Sequence, residues 1–259
     1  MFIKKTNIFY FSVILVLFIG CKSRPSPKEI AQFNLDIHNL NYDAVKNKLK
    51  ENKNLLNVGY QIYGNTTCYP IHMAIESNSP EMVKLIINNT NSNILLETDT
   101  DLWSPLTLAL TRNCNTEIIK QLIENGADVN FIDEKNGFNI FHYIFGYRNF
   151  DVWKELRQYA SYEKLNKEDI AGATPVTLLI SNQLENDDLN NQEVKNLLIE
   201  VMECGGNPNY LINFRDYFCE AIDYLNENQY FEYKQILLDG MKKNTTVGES
   251  SELITLLEK

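Results

Sequence analysis

The sequence predicts an all-α solenoid: stacked helix-turn-helix units joined by hairpin loops. Three observations predict it. Ile71, Leu106, Phe141 and Val176 hold equivalent slots, each 35 residues after the last, and their neighbours repeat with them. Tyr69-Pro70, Ser104-Pro105 and Thr174-Pro175 open the units, and proline suits the first turn of a helix, where its missing N–H is not needed. A second apolar run then ends at glycine, as Ile118, Ile119, Leu122 and Ile123 do before Gly126. A unit of this size has too little apolar face to fold alone, so copies must stack.

The stretch Trp103–Asn130 shows the unit at its clearest. Ser104 caps a helix that begins at Pro105. Leu106, Ala109 and Leu110 recur at the three-and-four spacing of a short amphipathic helix. Asn113-Cys114-Asn115 breaks it, and the second apolar run follows. Gly126 supplies a left-handed residue at the end, and Asp128 and Asn130 suit the turn to the next unit. Tyr69-Pro70-Ile71-His72-Met73-Ala74 repeats the first half, as do Asn139-Ile140-Phe141-His142 and Thr174-Pro175-Val176-Thr177. This pattern resembles the ankyrin repeat, T-P-L-H-x-A followed by V-V-x-L-L and G-A-D-x-N, whose period is about 33 residues. The resemblance implies an ankyrin-repeat solenoid of about 5–6 units, counting degenerate caps. It also implies that Pro70, His72, Ala74, Pro105, Ala109, Gly126, His142, Thr174 and Pro175 are structural repeat positions.

Taken in order, the chain opens with a leader. Lys4 and Lys5 precede an apolar run from Ile8 to Ile19, below the roughly 20 residues of a spanning helix. Phe18-Ile19-Gly20-Cys21 resembles a bacterial lipoprotein signal. That implies a signal peptide over 1–20, lipidation of Cys21, and anchoring to a membrane outside the cytoplasm, in the periplasm or at the cell surface. Residues 22–28, with two prolines and three bases, read as a tether. The repeat domain then spans 29–241. Residues 29–57 form an N-terminal cap and 58–68 a turn or hairpin. The third unit, 134–160, is rich in aromatics, and 160–171 is a longer crossing. The fourth carries an insertion over Gln183–Gln192, read as a solvated acidic loop. The fifth, 214–241, caps the other end. Residues 242–259 read as a polar tail with room for one short helix.

The chain carries 24 Lys and Arg against 34 Asp and Glu, a net charge of −10, and losing Lys4 and Lys5 with the leader makes it more acidic. That argues against nucleic acid and suits solubility or a basic partner. No nucleophile elbow, zinc-protease pair, phosphate loop or C-x-x-C occurs, so no catalytic, cofactor or metal residue is assigned. The third histidine, His38, stands alone. Cys68, Cys114, Cys204 and Cys219 allow three pairings. Cys204 with Cys219, in adjacent units, is the best candidate pair; free thiols are the alternative.

What remains is a binding module. Ankyrin proteins bind through hairpin tips and first-helix faces. Carried over by position, this selects Thr100, Asp101, Trp103, Arg112, Lys135, Asn136, Phe138 and Tyr147 as partner-binding residues. Aromatics and Arg supply most interface hot spots, so Trp103, Phe138, Tyr147 and Arg112 are expected to grip the partner; alternatively Trp103 and Phe138 fold over the next hairpin as core. The resemblance implies a monomeric, non-catalytic scaffold for a protein partner, with no small-molecule substrate. Narrower roles it leaves open are a periplasmic immunity protein neutralising a secreted toxic enzyme and a host-facing surface protein.

Overall fold

The computed structural model describes residues 24–61, 67–90, 95, 103–186, 189–244 and 251–258. Over these the chain is an all-α stack of two-helix units. The first pairs α1 (Pro27–His38) with α2 (Tyr42–Glu51), and a short hairpin follows, β1 (Tyr60–Gln61) antiparallel to β2 (Thr67–Cys68). Then come α3 (Pro70–Glu76) with α4 (Pro80–Ile87), α5 (Pro105–Thr111) with α6 (Thr116–Glu124), and α7 (Ile140–Gly146) with α8 (Trp153–Leu156). The short α9 (Tyr162–Leu165) crosses to α10 (Pro175–Glu185) and α11 (Gln192–Glu203). Last are α12 (Arg215–Glu227), α13 (Phe231–Lys243) and α14 (Ser251–Glu258).

The caps form as the sequence requires. Ser104 Oγ accepts from Thr107 N at 3.2 Å, and Thr174 and Thr177 bond reciprocally, satisfying amide groups that a helix start leaves free. Gly126 closes α6 at φ +98°. The turn between the two helices of a unit also needs a left-handed residue. Asn78, Asn113 and Arg148, each 35 residues from the next, have φ of 48°, 52° and 57°. Asn tolerates this region better than branched or bulky residues do. In the first unit the same turn falls on Leu40, at φ 57° and exposed. Leu40→Asn is therefore expected to raise the unfolding free energy by about 0.5–1 kcal/mol, read by urea titration. An unchanged midpoint would show that the Leu40 side chain packs for as much as its backbone loses.

First helices pack in succession, α1 on α3, α3 on α5, α5 on α7 and α7 on α10, and more closely than the second helices do. The first helices thus form a continuous row along one side of the stack. Side chains lace adjacent units at repeating positions. Cys114 Sγ donates to the Ile75 carbonyl at 3.6 Å, and 35 residues on Asn149 Nδ2 donates to the Leu110 carbonyl at 3.4 Å. In the aromatic third unit, Phe141, Tyr143, Phe145 and Trp153 are all core. Their bulk comes with a short second helix, since α8 is flanked by 3-10 turns at Phe150–Val152 and Arg157–Tyr159.

Four expectations change. The tether is shorter than 22–28, because Ser26 accepts from Glu29 N and starts α1 at Pro27. The region read as a polar tail is part of the stack: α13 runs on to Lys243, and α14 buries Leu253 and Leu257 against α12 and α13. The Gln183–Gln192 insertion is not simply a solvated loop. Helix α10 continues to Glu185, Leu184 and Leu189 are buried, and the buried Gln183 Oε1 accepts from Tyr233 Oη at 2.6 Å; Asp187 and Asp188 lie outside the described residues. Among the described residues Cys204 and Cys219 are not joined in a disulfide. Burial, with the charge of Glu76, pushes the Cys114 thiol up to about 11.

Candidate interaction surface

The slot three residues after each first-helix cap reads His72, Thr107, His142, Thr177. Thr107 and Thr177 bond back to their own caps, Ser104 and Thr174. Of the two histidines, His142 reaches further. His142 Nδ1 accepts from Asn139 N at 3.2 Å, and Nε2 lies 3.3 Å from the carbonyl of Ala173, just before the next unit's cap. His72 Nδ1 accepts from Tyr69 N at 3.2 Å, but its buried Nε2 has no hydrogen-bond partner among the described residues. Burial holds both imidazoles neutral, each lowered to about 4. His142 therefore ties its own unit to the start of the following hairpin at Ala173.

Trp103 is half-buried and packs against the core. Arg112, the exposed C-cap of α5, lies over its ring at 5.4 Å, and its Nε donates to Glu76 Oε1 at 2.9 Å across the inter-unit seam. The Trp103 side chain is near enough to the Tyr143 hydroxyl to oppose the rise in its pKa. Tyr143, 1% exposed, is the hub. Its hydroxyl donates to Asp133 Oδ2 at 3.0 Å. Its ring meets Phe138 edge-on at 5.5 Å and stacks on Tyr147 at 6.0 Å. Burial first, and the Asp133 charge second, push the Tyr143 hydroxyl far above the ordinary phenol range, so it stays a donor.

Asp133 also builds the hairpin tip. Its Oδ1 accepts from Lys135 N and its Oδ2 from Asn136 Nδ2, both at 2.8 Å, while Gly137 turns the chain at φ +77°. The Asn136 carbonyl accepts from Ile170 N at 3.1 Å, tying this tip to the next.

The surface expected from position is thus assembled in part. Trp103 and Arg112 touch directly; Phe138 and Tyr147 join them through Tyr143. Phe138 is half-buried, stacked on His142 at 5.1 Å, so it presents one edge rather than a free ring. Tyr147 is 44% exposed. Lys135 is exposed, but Asn136 spends its side-chain amide on Asp133. Thr100, Asp101 and Cys21 lie outside the described residues. Sequence reasoning missed Asp133 and gave Tyr143 no role. The spacing Asp133-x-x-x-Gly137 signals a turn, but nothing in it says that the carboxylate also meets a tyrosine ten residues on.

A cavity of about 600 Å³ lies on the other side of the stack, between α8 and the start of α11. It exists because four-residue α8 cannot cover twelve-residue α11. Trp153 Nε1 donates to Glu200 Oε2 at 3.0 Å at its wall. Among the described residues no three His, Cys, Asp or Glu side chains come together to hold a metal, and no helix is long and apolar enough to cross a membrane.

No curated protein matches the chain. Residues 37–133 match the family model of ankyrin repeats, in three copies, and with similar caps, left-handed turns and inter-unit bonds in the later units the described residues form an all-α solenoid of the ankyrin-repeat type.

Proposed function

We propose that this chain is a non-catalytic scaffold, lipid-anchored in the bacterial cell envelope through Cys21, that holds a protein partner on its concave face by Trp103, Arg112, Phe138 and Tyr147. One observation carries the binding half of this reading. The exposed Arg112 and Tyr147 are held in place by the half-buried Trp103 and the buried Tyr143. Residues fixed before a partner arrives lose little conformational freedom on binding, which is what makes aromatic and Arg side chains effective anchors. Loops and exposed seams of a rigid solenoid are also where function concentrates.

The anchoring half rests on Phe18-Ile19-Gly20-Cys21. Because α1 starts at Pro27, the link from Cys21 reaches at most about 20 Å, which would hold the stack close to the bilayer surface. Cys21→Ser is expected to release the chain from sedimenting membranes or to stall it uncleaved; a correctly cleaved form that still pellets overturns the anchor.

The partner half is tested by pull-down from native envelope extract with the full chain in a neutral detergent, beside Arg112→Ala/Tyr147→Ala. Both substituted residues are exposed, so the fold survives their loss. A protein held by the parent chain and released by the variant supports the concave face. Equal retention by both moves the contact elsewhere.

A further inference from the structure

The regular packing of first helix on first helix stops between the fourth and fifth units. Helix α10 packs instead on the 3-10 segment Pro208–Phe214, and α12 leans on the same segment. The earlier first helices α3, α5 and α7 have seven residues each, whereas α10 has 11 and α12 has 13. Between α10 and α12, on the side of the first helices, lies a groove. Two adjoining hollows mark it, of about 310 and 190 Å³, and both are bounded by Glu185 and Tyr217. Leu178 and Ser181 line the larger; Glu220 and Tyr224 line the smaller.

The chemistry of this lining is specific. Tyr217 is 37% exposed, and its hydroxyl interacts with Ser181; burial first, then the nearby Glu185 charge, raises it and keeps it protonated. Glu185 and Glu220 are exposed, and among the described residues neither lies within ion-pair distance of a Lys or Arg. Helices α10 and α12 together carry five carboxylates against the single cation of Arg215. Rings beside unpaired carboxylates suit a basic side chain. Its aliphatic stem packs on the apolar wall, its charge meets the ring faces and the carboxylates, and the attraction is strongest where the two coincide.

We propose that the groove between α10 and α12 receives lysine or arginine side chains of the protein partner, held by Tyr217, Tyr224, Glu185 and Glu220. This rests on the reading of the concave face as a protein-binding surface and names the chemistry of what it binds.

The test is fluorescence anisotropy with the full chain in a neutral detergent. The probe is a fluorescein-labelled heptapeptide with two lysines among glycines, compared with its norleucine counterpart. The lysine peptide is expected to bind, with the norleucine peptide weaker by about fivefold. Tyr217→Ala, and separately Glu185→Gln/Glu220→Gln, are each expected to weaken the lysine peptide about threefold to fivefold, while Glu124→Gln on the exposed side of α6 leaves it unchanged. Equal binding of both peptides overturns the proposal in favour of an apolar groove. An equal loss on Glu124→Gln overturns it in favour of diffuse attraction to an acidic protein, and no binding of the lysine peptide overturns it outright. The two readings fail separately. A partner released by Arg112→Ala/Tyr147→Ala but indifferent to Tyr217→Ala sinks the groove and leaves the scaffold. Lysine-peptide binding that depends on Tyr217, with no partner that depends on Arg112 and Tyr147, does the reverse.

Discussion

Acid is expected to destabilise the solenoid between pH 6.5 and 4, and His72→Thr/His142→Thr to remove much of that loss. The unfolded chain protonates these imidazoles near 6.5, whereas burial lowers each to about 4 in the fold. Between those values the unfolded state binds more protons, so stability falls as pH drops through the window. It is fully present above 6.5 and falls no further from this source below 4. Each histidine accounts for about 3 kcal/mol at the acid end, an effect comparable with the whole stability of a marginal repeat. Threonine is the replacement because the chain itself uses it at Thr107 and Thr177, where it bonds back to the cap and carries no titrating group. The double variant gives up the reach to Ala173 and the stacking of Phe138, so it starts somewhat less stable at neutral pH. Urea unfolding at several pH values separates the two effects. Carboxylates that act with the same sign are common to both proteins, so the difference in slope belongs to the histidines. Parallel curves would mean that the imidazoles protonate in place.

Trp153→Ala is expected to lower stability by about 3–5 kcal/mol and to split the unfolding transition. Trp153 is 2% exposed. Its ring sits 6.1 Å from Phe141 and 5.6 Å from Phe145, and its indole N–H crosses to Glu200 in the next unit. Removing it leaves a void in the unit whose second helix is already the shortest, at the seam where α8 barely covers α11. A solenoid is held by nearest-neighbour contacts, so a weakened seam lets the two halves melt separately. Trp153→Phe keeps most of the volume and loses the hydrogen bond, and should cost less. Two resolved steps in the alanine variant's urea curve, against one in the parent, are the outcome to look for. A single step at the parent's midpoint would show that Trp153 does not couple the halves.

The arithmetic of the sequence located the units because each unit is built by local chemistry. Pro70, Pro105 and Pro175 fix helix starts, Ser104 and Thr174 satisfy the first amide groups, and Gly126 takes a left-handed turn that side chains disfavour. None of these needs a distant partner, so all are readable in a few consecutive letters. His72 and His142 were legible as structural only through the resemblance to the ankyrin repeat, since the contact of His142 with Ala173 lies 31 residues on. Trp103 and Arg112 were placed on one face by position alone, and they meet there.

Tertiary structure decided whatever depends on how one unit sits against the next. Tyr143 carries no motif; it becomes the hub because Trp103 arrives from the preceding hairpin and Asp133 from its own. Asn136 looks like an exposed tip residue until Asp133 takes its amide. Leu253 and Leu257, in a stretch that reads as polar tail, are buried because the last unit offers an open face that must be covered. The groove beside Tyr217 lies where α10 and α12 meet through the segment Pro208–Phe214 rather than directly. Sequence alone determined a repeating stack of two-helix units. Which side chains are spent within that stack, and which remain for a partner, was settled only by packing, because it depends on residues about one repeat apart meeting across a seam that no short window of sequence contains.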